Sequence, residues 1–203
     1  MTPESWSSAP PLAPAATDWL RHTLSATGAT EAVQRFAKAA RGAGIIPWQY
    51  DLDRLEEDWF LPMAAPTDGV PAISLAGARI LARRLRDSVA VQQQRALLRV
   101  ATDQSCPFDL HRLLPVPPTI LRLGPEDPQS QAWLWRHWGT THALRHVRLL
   151  PSPADRRNRQ TAQLAVAFWA ADWSPWPALK TLRRAWPGLS LSLRPHYDDG
   201  ADA

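Results

Sequence analysis

Few residues of this chain offer catalysis a nucleophile, or an acid and base held together. Cys106 is the only cysteine, and it stands before Pro107, where it reads as an inert thiol. His137, His142 and His146 fall within ten residues. His142 and His146 would share a metal only on a helix, because on a strand residues four apart lie about 13 Å apart. The chain has no Gly-rich phosphate loop, nucleophile elbow, HExxH or paired cysteine, and its nine Gly leave little for a backbone cradle. The expectation is no catalytic residue, no metal and no cofactor. An enzyme would need a pocket collecting His111, His142 or His146 with an acid.

A different chemistry is better supplied. Eleven Trp offer flat rings, and base–aromatic stacking is how single strands are held without sequence readout. Twenty-one of the 23 basic residues are Arg, whose guanidinium forks onto phosphate. A GC-rich coding sequence would give the same Arg bias. The net charge of +4 is too small to argue for nucleic acid alone, although residues 103–203 carry 12 basic against 9 acidic.

These residues need elements to hold them. Residues 1–16 form a Pro/Ala/Ser head expected to be disordered, without a basic start or an uncut apolar run, so no secretory signal is read there. Residues 17–102 read as a helical region. Asp18 to Ser25 reads as a short helix behind Thr17, and Thr30 to Arg41 as a second stopped by Gly42. Asp51 to Leu61 reads as a third, and residues 62–73 as a Pro-rich linker. Ser74 caps the longest, about 75–101, with Ala78, Ala82, Leu85, Val89, Ala96 and Val100 on one stripe. Arg79, Arg83, Arg86, Arg95 and Arg99 flank that stripe as a second basic strip, which is either a solvated face or a phosphate-binding one.

Beyond residue 105 the pattern changes. Phe108 to Leu114 reads as a strand, and Asp127-Pro128 opens a helix that Gly139 closes. Thr141 to Leu150 alternates, with Ala143, Arg145, Val147 and Leu149 against Leu144, His146, Arg148 and Leu150. Thr161 to Ala171 alternates strictly, Ser174-Pro175 opens another helix, and Leu189, Leu191 and Leu193 mark a last strand. Strand, helix, strand, strand, helix, strand is the ferredoxin-like βαββαβ order. The expected class is therefore α+β: a helical N-terminal region, then a ferredoxin-like domain over 106–197 with a four-stranded antiparallel sheet, then an acidic tail at 198–203.

In that arrangement Trp135, Trp138 and Trp186 lie on apolar helix faces and belong to the core. Trp169 alternates with Phe168 and faces the side of the sheet that the helices leave bare, with Gln163, Ala165 and Ala167. The expected nucleic-acid-binding residues are Trp169 and the loop residues Arg156, Arg157 and Arg159, with Arg194 and His111 as neighbours. The alternative is that the 75–101 helix lies across this face and leaves no ligand surface.

The segment Trp135-Arg136-His137-Trp138-Gly139-Thr140-Thr141 resembles, with one residue fewer between its tryptophans, the Trp-x-x-x-Trp-Gly-Thr stretch of the YubB-like ferredoxin-like domain family, uncharacterised proteins borne on plasmids and phages. That family often has Lys where this chain has Thr141. Trp173-Ser174-Pro175-Trp176-Pro177 is similar to the family's Trp-x-x-Pro after an aromatic strand, although its prolines fall two and four residues after Trp173. Trp186-Pro187-Gly188-Leu189 before a final strand, Tyr197-Asp198-Asp199 after it and Leu114-Pro115-Val116-Pro117 also match. The resemblance covers about 107–199 and implies a fold and a mobile-element setting, with no activity or catalytic residue.

The expectation is a non-catalytic accessory protein of a mobile element that binds single-stranded nucleic acid or a nucleoprotein complex. A protein–protein interaction module acting on a host or element-encoded complex is the alternative, and an enzyme of unknown class a second. The lone cysteine fits a reducing, cytoplasmic setting. The longest apolar run, Leu164 to Ala171, is too short to span a bilayer, so no membrane partner is expected.

Overall fold

The computed structural model describes residues 17–65, 73–151 and 161–197. Its element order is β1 (Trp19–Ala29), α1 (Thr30–Ala40), α2 (Leu52–Ala64), α3 (Leu75–Thr102), α4 (Leu110–Leu113), α5 (Pro118–Leu121), α6 (Pro128–His137), β2 (Arg145–Leu149), β3 (Thr161–Ala171), α7 (Trp176–Ala185) and β4 (Leu189–His196). The four strands form one antiparallel sheet in the order β2-β3-β1-β4. No described helix is long and apolar enough to cross a membrane.

Two expectations are corrected here. The helix expected over Asp18–Ser25 is instead the central strand β1. Its residues alternate: His22, Leu24 and Ala26 are buried, while Arg21 and Thr27 are exposed. Period two therefore outweighs the capping signals of Thr17 and Gly28. Gly28 has a different task, since a Cβ there would stand 2.7 Å from the Gly188 carbonyl oxygen at the start of β4. Conversely, the strand expected over Phe108–Leu114 is a loop running into α4. The Asp109 carboxylate caps that turn by accepting from the His111 and Arg112 N–H groups, which favours helix over extension. The sheet thus draws its first strand from the segment read as a helical region.

Other boundaries match the local chemistry. Asp51 accepts from Arg54 N–H, Ser74 from Gly77 N–H and Asp127 from Gln129 N–H, each opening a helix as a side-chain cap does. Ser174, expected as a cap, bonds elsewhere, and α7 starts at Trp176 without a side-chain cap.

One face of the sheet carries the core. Leu24 and Ala26 of β1, Val166, Phe168 and Ala170 of β3, and Leu189, Leu191 and Leu193 of β4 pack with Val33 and Phe36 of α1, Leu134 of α6 and Leu179 and Leu182 of α7. Aromatic rings form a column through it: His22 on Phe168, Phe168 on Phe108, Phe108 against Phe36 and Phe36 edge-on to Trp186, with centroids 5.3–6.4 Å apart. Trp138 is buried there and its indole N–H donates to the Leu114 carbonyl at 3.0 Å. Trp135, expected in the core, is 48% exposed. Four-strand width and one helix layer leave α6 a narrow buried stripe, which Leu134 and Trp138 fill.

Helices α2 and α3 pack on each other as a hairpin. Ala78 and Ala82 of the expected stripe are buried, whereas Leu85 is exposed. Towards its C-terminal end α3 is tied to the body by two side chains: Gln93 accepts from Tyr50 N–H, and Arg99 donates to the Ala43 carbonyl.

Candidate functional site

The face of the sheet turned away from the core is read row by row from the strand register. Arg145, Trp169, Arg21 and His196 lie opposite one another across β2, β3, β1 and β4. The next row is Arg148, Ala167, Thr23 and Arg194, and beyond it come Ala165, Ser25 and Ser192, then Gln163, Thr27 and Ser190. Directly opposed residues share a face, so these side chains form one surface. Arg21, Arg145, Arg148, Arg194, Ser190, Ser192 and Thr27 are exposed and Trp169 is half-buried, so no described helix covers this face. The rows contain four guanidinium groups and no carboxylate among the described residues. Asp18 and Asp172 lie just past the ends of β1 and β3.

The chemistry concentrates at one end. The Arg145 guanidinium lies 4.0 Å over the Trp19 ring, a cation–π contact that holds both flat groups in place. A hollow of about 420 Å³ is lined by Trp19, Arg145, His146 and Trp169. A second, of about 480 Å³, is lined in part by Arg21, His146, Arg148, Ala167 and Trp169. Between the first two rows, Thr23 Oγ1 and His196 Nε2 are hydrogen-bonded at 2.8 Å. The segment after α6 closes this end: the Thr140 hydroxyl donates to the Ala171 carbonyl and accepts from its N–H, both at 3.0 Å. Thr141 in turn donates to the Asp172 carboxylate and is bonded to His142 Nδ1. Among the described residues, the two non-glycine residues with left-handed backbone, His146 and Asp172, both sit at this end.

The expected site residues separate into four groups. Trp169 and Arg194 lie on the open face. His111 does not: it lies in α4, where its Nδ1 accepts from Val116 N–H at 3.3 Å and burial pushes its pKa down. Its place on the sheet disappears with the strand expected there. Arg156, Arg157 and Arg159 lie outside the described residues.

Most arginines of the second basic strip are ion-paired. Arg79, Arg83 and Arg86 converge on Glu56 of α2, at 3.6, 3.3 and 3.0 Å, and Arg79 also meets Glu57 at 2.6 Å. Arg99 pairs with Asp103. Arg95 is exposed, beside a shallow hollow it shares with Asp87 and Gln92. The acids of α2 meet the arginines of α3 because the two helices form a hairpin, a pairing no local pattern displays.

Residues the sequence did not place on this face are Trp19, Arg21, Arg145, Arg148 and His146, the last weighed only as a metal or catalytic histidine. The signal for the first two was the period-two polarity of Arg21, Thr23, Ser25 and Thr27. Strict alternation over Thr141–Leu150 places Arg145 and Arg148 on opposite faces; a bulge between them brings both to the same one.

Among the described residues, His142 reaches an acid, Asp172, through the Thr141 hydroxyl, which is bonded to both. The hollow beside His111 and Asp109 is only about 10 Å³, room for a single water. His137 stacks on Trp133, away from His142 and His146. His22 and Ser174 are hydrogen-bonded at 2.8 Å, with His22 Nδ1 donating to the Leu20 carbonyl, but both side chains are buried. Burial also lowers the His22 pKa to about 4, so this pair braces α7 against β1. Among the described residues no group of three or more His, Cys, Asp or Glu is placed to hold a metal ion.

A scan against protein-family models, a search of curated proteins and a search of solved structures found no match to this chain.

Proposed function

We propose that this chain is a non-catalytic protein that binds single-stranded nucleic acid across the open face of its sheet. The observation that carries the reading is the row Arg145–Trp169–Arg21: a half-exposed indole on the central strand β3 between a guanidinium group on the edge strand β2 and one on the central strand β1. Such a face supplies a stacking surface for bases with cations on either side for phosphates. The element and strand orders support reading β1, α1, β2, β3, α7 and β4 as a ferredoxin-like core with α2 to α6 inserted; Trp169 and Arg21 then lie on its central strands and Arg145 on its edge. With the resemblance to the plasmid- and phage-borne family, this gives an accessory role in a mobile element, on nucleic acid or a nucleoprotein complex in the cytoplasm.

The test is fluorescence anisotropy of labelled single-stranded DNA and RNA oligonucleotides at low salt. Trp169→Ala should weaken binding by about 5- to 150-fold, the value of one stacked base. A wild-type protein that retains neither oligonucleotide at micromolar concentration overturns the proposal. The second reading, a protein-interaction module, is favoured by Ile80, Val91 and Leu98, which stand exposed along one side of α3. That reading gains if oligonucleotide binding is absent.

A further inference from the structure

Strand β2 contains one residue more than its pairing needs. Arg145 lies opposite Trp169 and Arg148 opposite Ala167, so three steps on β2 span two on β3. The surplus is absorbed at His146, whose φ of +50° is a conformation that side-chain-bearing residues disfavour. Val147 keeps its place against the core, and Arg145 and Arg148 are exposed on either side. Without His146, the run Arg145-Val147-Arg148 would be out, in, out in unbroken register. Neither the register nor the core therefore requires His146.

What the extra residue adds is an exposed imidazole shared by both hollows. Each is also lined by Trp169, one having Trp19 and Arg145 on its far side, the other Arg21 and Arg148. We propose that His146 is a ligand-contacting residue, set into β2 by its bulge so that imidazole and indole form the wall between two adjoining nucleotide sites. The ligand unit would then be two consecutive nucleotides, one in each hollow, with their connecting phosphodiester at His146. This rests on the single-strand binding proposed above.

Two variants test it: His146→Gly, which keeps the bulge and suits the left-handed backbone, and deletion of His146, which regularises the strand. Both should melt no lower than wild type. Trp169 indole N–H shifts, followed by NMR during titration with thymidine monophosphate and with the dinucleotide d(pTpT), give the affinities. Wild type should gain about tenfold or more from the second nucleotide, and His146→Gly should lose most of that gain. An unchanged gain in His146→Gly, no gain in wild type, or a deletion variant that melts well below wild type overturns the proposal. If His146→Gly binds like wild type while Trp169→Ala is weakened for longer oligonucleotides, the stacking platform stands and only the role of His146 falls. If wild type binds no oligonucleotide of any length, both fall.

Discussion

Replacing Arg21 and Arg148 together by alanine should flatten the salt dependence of oligonucleotide binding without unfolding the protein. Each phosphate neutralised on a single strand contributes about −0.7 to the slope of log affinity against log salt. The open face presents four guanidinium groups, on Arg21, Arg145, Arg148 and Arg194. If each meets one phosphate the slope is about −2.8, and the double variant should show about −1.4. Between 50 and 200 mM salt, wild type then loses about 50-fold in affinity and the variant about 7-fold. The control is the pair Arg83→Ala and Arg86→Ala on α3. Their guanidinium groups already lie 3.3 and 3.0 Å from Glu56, so they have little unbalanced charge to give a phosphate. Anisotropy titrations at four salt concentrations measure all three slopes. A double variant as steep as wild type, or a flattened slope in the α3 control, would refute the placement of the phosphate path on the sheet.

Two predictions concern the body that carries the face. Burial holds His22 at a pKa of about 4, whereas an unfolded histidine titrates near 6.5. The unfolded chain therefore binds the proton more readily; the stability His22 contributes is complete above about pH 6.5 and is lost as pH falls towards 4, up to on the order of 3 kcal/mol. Half-buried His111, shifted the same way, adds to the trend. Urea unfolding at pH 7.5 and pH 5 should show this loss, and His22→Gln should reduce it; an identical loss in that variant would be incompatible with the assignment. Trp138→Phe removes the N–H bond to Leu114 and leaves part of a buried site unfilled. A cost of about 1–3 kcal/mol, or about 3–10 °C in Tm, is expected, and an unchanged melting curve would contradict it.

How far the fold could be read depended on whether local and non-local signals agreed. Over Thr161–Ala171 alternation, β-compatible residues and both flanking breaks agree, and β3 has those bounds. At Asp18–Ser25 they conflict: Thr17 and Gly28 look like helix punctuation, and only pairing with β3 and β4 decides for a strand. That pairing spans well over a hundred residues and leaves no local trace. Trp169 was placed on the bare face because its strand was legible. Arg21 was missed because its strand was not, and Arg148 because a bulge reverses the parity on which alternation depends.

The Trp-rich segment that carries the family resemblance serves the site indirectly. Trp138 anchors the end of α6 in the core through Leu114, and Gly139 turns the chain at φ +78°, where a Cβ would collide with Pro177. Thr140 then grips both polar groups of Ala171, and Thr141 holds the Asp172 carboxylate. Ala171 is paired with Trp19, two residues beyond the pairing of Trp169 with Arg21. The motif therefore fixes the end of β3 at which the two hollows open, and it contributes none of the side chains lining them. A ligand would be chosen by the residues lining the hollows, and Trp19, Arg21, Arg148 and His146 all lie outside the Trp-rich run. The resemblance thus bears on the scaffold, while the proposed binding would draw its specificity from β1 and the bulged strand β2.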